Sequence, residues 1–240
     1  ASAGETLELF FGLHNTGDNA IADISGTVSS DSPWLNIVNN QISYPNISGG
    51  ADGNNLSPLV VEIDPATPHE TMLRLHLNLS DGSGNNYEVS EFIQVESPII
   101  NFVSLSVPGD QIIDPDETVE ITVGINNVGP VPVNNVTARL YTHNDLVSII
   151  SNTSFIGNLT DDDQILTATF QIWQRPQTLP GMQMPVYLRL YNDEGFEQIV
   201  DFNFSVGTSA QDTPTGPDNY GYVIYDWTDP YHQDMTTYNW

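Results

Sequence analysis

Apolar and polar residues alternate with a period of two along most of this chain. In the stretch Asp114–Tyr141, Val119, Ile121, Val123 and Ile125 share one face, while Glu120, Thr122 and Gly124 take the other. That pattern predicts a strand with one buried side. Asn126-Asn127-Val128-Gly129-Pro130 breaks it, and Val133, Val136, Ala138 and Leu140 carry a second strand, so a β-hairpin is expected here. Met72–Leu79 alternates strictly, with Leu73, Leu75, Leu77 and Leu79 inward and Arg74, His76 and Asn78 outward. Further strands are expected at Glu5–Leu13, Trp34–Ile37, Leu59–Ile63, Tyr87–Val95, Ile99–Val107, Val147–Ile150, Leu166–Trp173, Met184–Tyr191 and Phe196–Val206. No window keeps a helical period. Short strands separated by turn signals predict an all-β protein of antiparallel sandwiches.

Residues 1–48 and 113–160 align without a gap at an offset of 112. Glu5-Thr6-Leu7-Glu8-Leu9 matches Glu117-Thr118-Val119-Glu120-Ile121. Gly12, Asn15 and Gly17 match Gly124, Asn127 and Gly129, and Asn46-Ile47-Ser48 matches Asn158-Leu159-Thr160. Self-similarity at domain length means two copies of one module. The expected organisation is a first Ig-like β-sandwich over 1–97, a second over 98–207, and a linker with an extended aromatic arm over 208–240. The copies differ at one place. Ile99–Val107 precedes the second copy's first aligned strand, whereas only four residues precede Glu5. The first module is therefore expected to lack its first strand and to leave a sheet edge or groove uncovered, a template for another strand.

Charge narrows the range of partners. Four arginines and no lysine face 31 acidic residues, for a net charge of −27. Such a surface repels phosphate backbones and anionic lipid, so neither nucleic acid nor membrane insertion is expected. No run approaches eighteen apolar residues. There is no cysteine, which excludes structural disulfides and thiol catalysis. The opening Ala1-Ser2-Ala3-Gly4 carries no signal peptide and reads as the start of a processed or excised piece of something longer.

The candidate chemistry is sparse. The five histidines form no metal-binding pair, and no nucleophile elbow or nucleotide-binding glycine motif occurs. No catalytic residue and no cofactor is expected, and the chain reads as a non-enzyme. Oxygen-rich acidic loops suit calcium, with Asp110, Asp114, Asp116, Asp161, Asp162 and Asp163 as the candidate ligands. Asp81-Gly82-Ser83-Gly84-Asn85 has the look of a calcium loop but lacks its glycine and terminal glutamate; solvated turn residues are the simpler reading. Seven Asn-X-Ser/Thr sequons begin at Asn46, Asn55, Asn78, Asn135, Asn152, Asn158 and Asn203, and serve as glycosylation acceptors only in a glycosylating host.

The arm, DNYGYVIYDWTDPYHQDMTTYNW, holds five of the ten tyrosines. Val223, Tyr225 and Trp227 fall on one face of a strand, with Tyr222, Ile224 and Asp226 on the other. It is too short to fold alone and is expected to pack on the second module, on a following domain or on a neighbouring subunit. Tyr220, Tyr222, Val223, Ile224, Tyr225 and Trp227 are the expected assembly residues.

The run Gly109-Asp110, Asp114-Pro115-Asp116-Glu117-Thr118-Val119, Asn126-Asn127-Val128-Gly129 and Asn135-Val136 resembles the CARDB-like, cell-adhesion-related bacterial Ig-like modules. The first copy carries a looser version in Gly4-Glu5-Thr6 and His14-Asn15-Thr16-Gly17. Gly216-Pro217-Asp218-Asn219-Tyr220-Gly221-Tyr222 with Tyr225-Asp226-Trp227-Thr228-Asp229 looks like a motif that follows such modules in large secreted bacterial proteins, some bearing a gingipain-like cysteine peptidase. The resemblance implies a secreted or cell-surface module and carries over no catalytic residue. The expected function is that of a structural or adhesive subunit, joined head-to-tail to copies of itself by strand complementation into a fibre. Two alternatives remain: an accessory segment of a large secreted peptidase, with neighbouring domains of a longer chain as partners, or a carbohydrate-binding module using the arm aromatics.

Overall fold

A computed structural model of the chain describes residues 1–160, 164–210, 213, 214, 216, 220, 222–225 and 229. Its elements are all strands: β1 Thr6–Leu9, β2 Gly12–His14, β3 Ser25–Ser29, β4 Leu35–Ile37, β5 Gln41–Ser43, β6 Asp52–Asn54, β7 Leu59–Ile63, β8 Thr71–Ser80, β9 Asn86–Val95, β10 Ile100–Ser106, β11 Thr118–Asn127, β12 Val133–Tyr141, β13 Val147–Ser151, β14 Thr153–Leu159, β15 Leu166–Gln174, β16 Gln183–Tyr191 and β17 Glu197–Ser205. No helix occurs among the described residues, and none is long and apolar enough to cross a membrane.

The chain divides into two compact units. The first comprises Ala1–Ile99 with Gly129–Val131 and Glu194–Phe196, the second Ile100–Val128, Pro132–Asp193 and Glu197–Trp240. In the second unit one sheet has the order β10-β11-β15-β13 and the other β14-β12-β16-β17. All pairings are antiparallel. Ile121, Val123 and Ile125 from one sheet and Val186, Leu188 and Leu190 from the other are fully buried, the core of an Ig-like two-sheet sandwich. In the first unit the sheets are β1-β7-β4, β2-β6 and β5-β3-β8-β9. Leu59 and Val61 of β7 share a core cluster with Val28, Leu75, Leu77 and Leu79 of the larger sheet.

Sheet by sheet, β1-β7-β4 corresponds to β11-β15-β13, and β5-β3-β8-β9 to β14-β12-β16-β17. The agreement extends to small devices. The Ser2 amide donates to Glu5 Oε2 at 2.8 Å, and the Asp114 amide donates to Glu117 Oε2 at 2.8 Å. The buried amides of Asn15 and Asn127 donate to the carbonyls of Ile47 and Leu159. A parallel bridge closes each unit, Ser2 to Glu96 and Ile113 to Val206.

The structure corrects the sequence reading in three places. First, β11 and β12 do not form a hairpin; each belongs to a different sheet. Both bury one whole face, and the turn between them carries the chain from one layer to the other. Alternation cannot tell such an arch from a hairpin, because both present the same inward face. Second, the strand expected over Glu5–Leu13 is two, β1 and β2, interrupted at Phe10–Phe11. Third, a regular strand over Ile99–Val107 sets Ile100, Phe102, Ser104 and Ser106 on one side and Asn101, Val103, Leu105 and Val107 on the other, and β10 does not keep that alternation. A bulge between Phe102 and Ser104 lets Ile100, Phe102, Leu105 and Val107 all turn inward.

Candidate functional site

The site is the outer edge of β1 and β2 in the first unit. In the second unit, β10 covers the equivalent edge. Ile100 pairs with Asn127, Phe102 with Ile125, Ser104 with Gly124 and Ser106 with Thr122. By the repeat offset those β11 positions are Asn15, Leu13, Gly12 and Phe10. Among the described residues nothing pairs with that edge, and β1 is terminal in its sheet. The Ile63 amide donates to the Glu5 carbonyl and the Asn15 amide to the Ala51 carbonyl, so odd-numbered residues face β7 and β6. Antiparallel alternation then points the backbone groups of Thr6, Glu8, Phe10, Gly12 and His14 outward. No proline or lysine blunts the edge.

The side chains register the same difference. Val119, Ile121, Val123 and Ile125 are buried, whereas their counterparts Leu7, Leu9, Phe11 and Leu13 are only half-buried. The opposite wall is β9. In the second unit its counterpart, β17, is roofed by β10: Phe102 stacks on Phe202 at 4.7 Å. Val200 is 8% exposed there, and Val89, its equivalent in β9, is 36% exposed. A cavity of about 150 Å³ opens in the first unit among Leu13, Asn15, Ile21, Ile47, Tyr87 and Val89.

Two further residues mark the groove. Gln198 clamps β10 through both of its amide atoms, accepting from the Ile100 amide at 2.9 Å and donating to the Ile100 carbonyl at 2.8 Å. Tyr87 stands in its place in the first unit, and its hydroxyl donates instead to Asp81 Oδ2 at 2.9 Å. Gly124 is the second marker. A Cβ there would lie 2.5 Å from Ser104 Oγ of the covering strand. At Gly12 a Cβ would meet only Asn54 Oδ1, at 3.3 Å. The first copy thus keeps a bare backbone where the second needs one for its covering strand.

Asn55 holds the interruption between β1 and β2. It is 3% exposed. Its Oδ1 accepts from the Phe11 amide at 2.6 Å, and its Nδ2 donates to the carbonyls of Leu9 and Ser57 at 3.2 and 2.7 Å. A side chain so engaged is inaccessible to a glycosylating enzyme once the unit has folded. Asn46, Asn78, Asn135, Asn158 and Asn203 are exposed and Asn152 is half-buried.

The acidic candidates are scattered. No group of three or more His, Asp or Glu among the described residues is placed to hold a metal ion. Asp110 Oδ1 accepts from the Ile112 amide, and Asp116 Oδ1 from Trp173 Nε1 at 3.3 Å. Asp114 sits in the turn closed by Glu117. Asp161, Asp162 and Asp163 lie outside the described residues. In the arm, Tyr220, Tyr222 and Ile224 are exposed and Val223 and Tyr225 half-buried; Trp227 lies outside the described residues.

The Asp81 turn is a closed hydrogen-bond cage. The Asn85 side chain and backbone, the Tyr87 hydroxyl and the Ser83 amide all donate to its carboxylate. These bonds, led by Asn85, lower its pKa to about 2. The folded value lies below the unfolded one, so the contribution is full above the ordinary carboxylate range and is lost as pH falls through the folded pKa. Acidification from pH 4 to 2 is therefore expected to loosen the β8–β9 turn. Amide exchange at Ser83 and Asn85 reads this directly, and exchange already fast at pH 5 would contradict it.

No protein-family model matches the chain, and no curated protein does. Among solved structures, it is similar to red sea bream transglutaminase, with 11% identity over 88% of this chain and TM-score 0.34. The chain spans 30% of that enzyme's length. It is also similar to the C-terminal domain of the Streptococcus agalactiae AgI/II polypeptide BspA, with 9% identity over 87% of this chain and 94% of that one, TM-score 0.38. At such scores neither likeness bears on function.

Proposed function

We propose that the chain is a non-enzymatic extracellular structural subunit whose first unit accepts a β-strand from the next copy, building a head-to-tail fibre. The observation that carries this reading is the uncovered groove at Thr6–His14, seen beside a copy of the same module in which β10 fills it. The proposed donor is the Tyr220–Trp227 arm. It alternates as a strand does, and its Tyr222 and Ile224 are exposed. Main-chain bonds to the outward groups of Phe10, Gly12 and His14 supply affinity, and side chains entering above Leu13 and Val89 supply register. The acceptor and donor are different surfaces, so the contact is heterologous and propagates.

Gly12→Val tests the reading. The substitution displaces only the exposed end of Asn54, so the melting temperature of the unassembled chain is expected to stay within about 2 °C. The added side chain occupies the path of the donor, so oligomers seen by sedimentation velocity and negative-stain microscopy are expected to collapse to monomer. Deleting 218–240 is expected to do the same. Monodisperse wild-type monomer, or oligomers indifferent to both changes, would sink the proposal.

A further inference from the structure

The outer face of the β14-β12-β16-β17 sheet in the second unit carries side chains that the fold does not require. Tyr141 and Tyr187 are cross-strand neighbours with ring centroids 5.3 Å apart and an interplanar angle of 23°. His143 lies against both, at 5.6 and 5.4 Å. One step along, Arg139 stands directly opposite Arg189. Arg189 is engaged: Glu197 Oε2 accepts from it at 2.5 Å, and its guanidinium lies 4.9 Å from the Tyr191 ring centroid. Arg139 is exposed, and among the described residues no ion pair involves it. Phe155 and Ile199, 68% and 51% exposed, extend the face on either side.

The first unit shows what the scaffold needs. Its β3–β8 pairing has the same register as β12–β16, so counterparts are unambiguous. Thr27 opposite Asn78 replaces the arginine pair, Ser29 opposite His76 replaces the tyrosine pair, and Ser25 opposite Ser80 replaces Thr137 opposite Tyr191. At these three pairs the same sheet thus closes with Ser, Thr, Asn and His, with neither a tyrosine pair nor an arginine pair. Two like charges facing each other across strands are unfavourable on their own. The chain has four arginines and no lysine, and two of the four form this one pair.

We infer that this face is a binding platform for a glycan that carries an isolated carboxylate. The Tyr141–Tyr187 surface offers π faces to the C–H side of a sugar ring. The Arg139 guanidinium offers two parallel N–H donors that match a carboxylate. Net charge selects within the class. A polyanion feels the whole −27 chain, whereas a single carboxylate at the platform feels mainly charges within about one Debye length, ~8 Å at physiological salt: Arg139 and the neutralised Arg189–Glu197 pair, with Asp201 on the next strand beyond Tyr187 confining the carboxylate to the Arg139 side.

The test is a printed array of sialylated and uronic-acid-bearing oligosaccharides beside their neutral parents, probed with the full chain. Affinities of the hits are then measured by titration calorimetry. Signal is expected on carboxylate-bearing glycans, and each neutral parent is expected to bind about tenfold more weakly. Arg139→Thr, Tyr141→Ser and Tyr187→His each install the residue that the first unit carries at that place, so the fold is preserved and melting is the control. Each is expected to weaken binding about tenfold with the melting temperature unchanged. The inference is overturned by an array without hits, by hits on neutral glycans alone, or by affinities unmoved in the three variants. Capture of an acidic peptide with equal sensitivity to the variants would assign the face to a protein ligand instead, and would also overturn it. None of these readouts depends on strand exchange at the first unit.

Discussion

Residues 99–112 placed directly ahead of Ala1 are expected to raise the first unit's melting temperature by roughly 10 °C and to leave the chain monomeric. The join needs no designed linker. By the repeat, Ala1 corresponds to Ile113, so the graft reproduces the passage from β10 to the Asp114 turn. The gain comes from covering Leu7, Leu9, Phe11, Leu13 and Val89, together with the graft's own Ile, Phe, Leu and Val. A net gain of about 2 kcal/mol in a sandwich of this size shifts the transition by roughly 10 °C. Self-complementation also fills the proposed acceptor, so the proposed head-to-tail contact is closed off. A graft with its four inward-turning residues, the copies of Ile100, Phe102, Leu105 and Val107, changed to serine is expected to do neither. Differential scanning calorimetry and sedimentation read both effects, and a native graft without effect would mean the groove is no strand acceptor.

Asn55→Ala is expected to destabilise the first unit by about 3 kcal/mol in urea unfolding. The substitution leaves the Phe11 amide and the carbonyls of Leu9 and Ser57 without partners at a partly buried site. It also frees the point where β1 hands over to β2, so the proposed acceptor edge loses its shape and the proposed assembly is expected to weaken with stability. Asn55→Asp keeps the acceptor for Phe11 but sets a buried carboxylate oxygen against the Leu9 and Ser57 carbonyl oxygens, so no recovery is expected at neutral pH. Ser57→Ala destroys the sequon but keeps the backbone carbonyl, so no change in stability is expected. Equal effects of Asn55→Ala and Ser57→Ala would show that the side chain matters through glycosylation, contrary to its burial.

By itself the sequence determined the all-β class, the duplication and the faces of most strands. Period-two alternation reports which side of a strand is buried, and an offset of 112 reports a repeated core. Leu73, Leu75, Leu77 and Leu79 needed nothing more, nor did the mismatch between the two copies at Ile99–Val107. Tertiary structure decided the rest, because those properties depend on partners distant in the chain. Whether β11 and β12 pair or part is set by β15 and β16. The sequon at Asn55 became a structural stitch only once Leu9 and Phe11 lay beside it. The tyrosines and arginines of β12 and β16 are ordinary outward residues in sequence, and they become a platform only when cross-strand register sets Arg139 against Arg189 and Tyr141 against Tyr187. The outer β1–β2 edge is one that no described residue pairs with. The walls beside it, with Val89 and Tyr87 from a strand about 80 residues away, came from packing, which brings the two sheets together regardless of chain order.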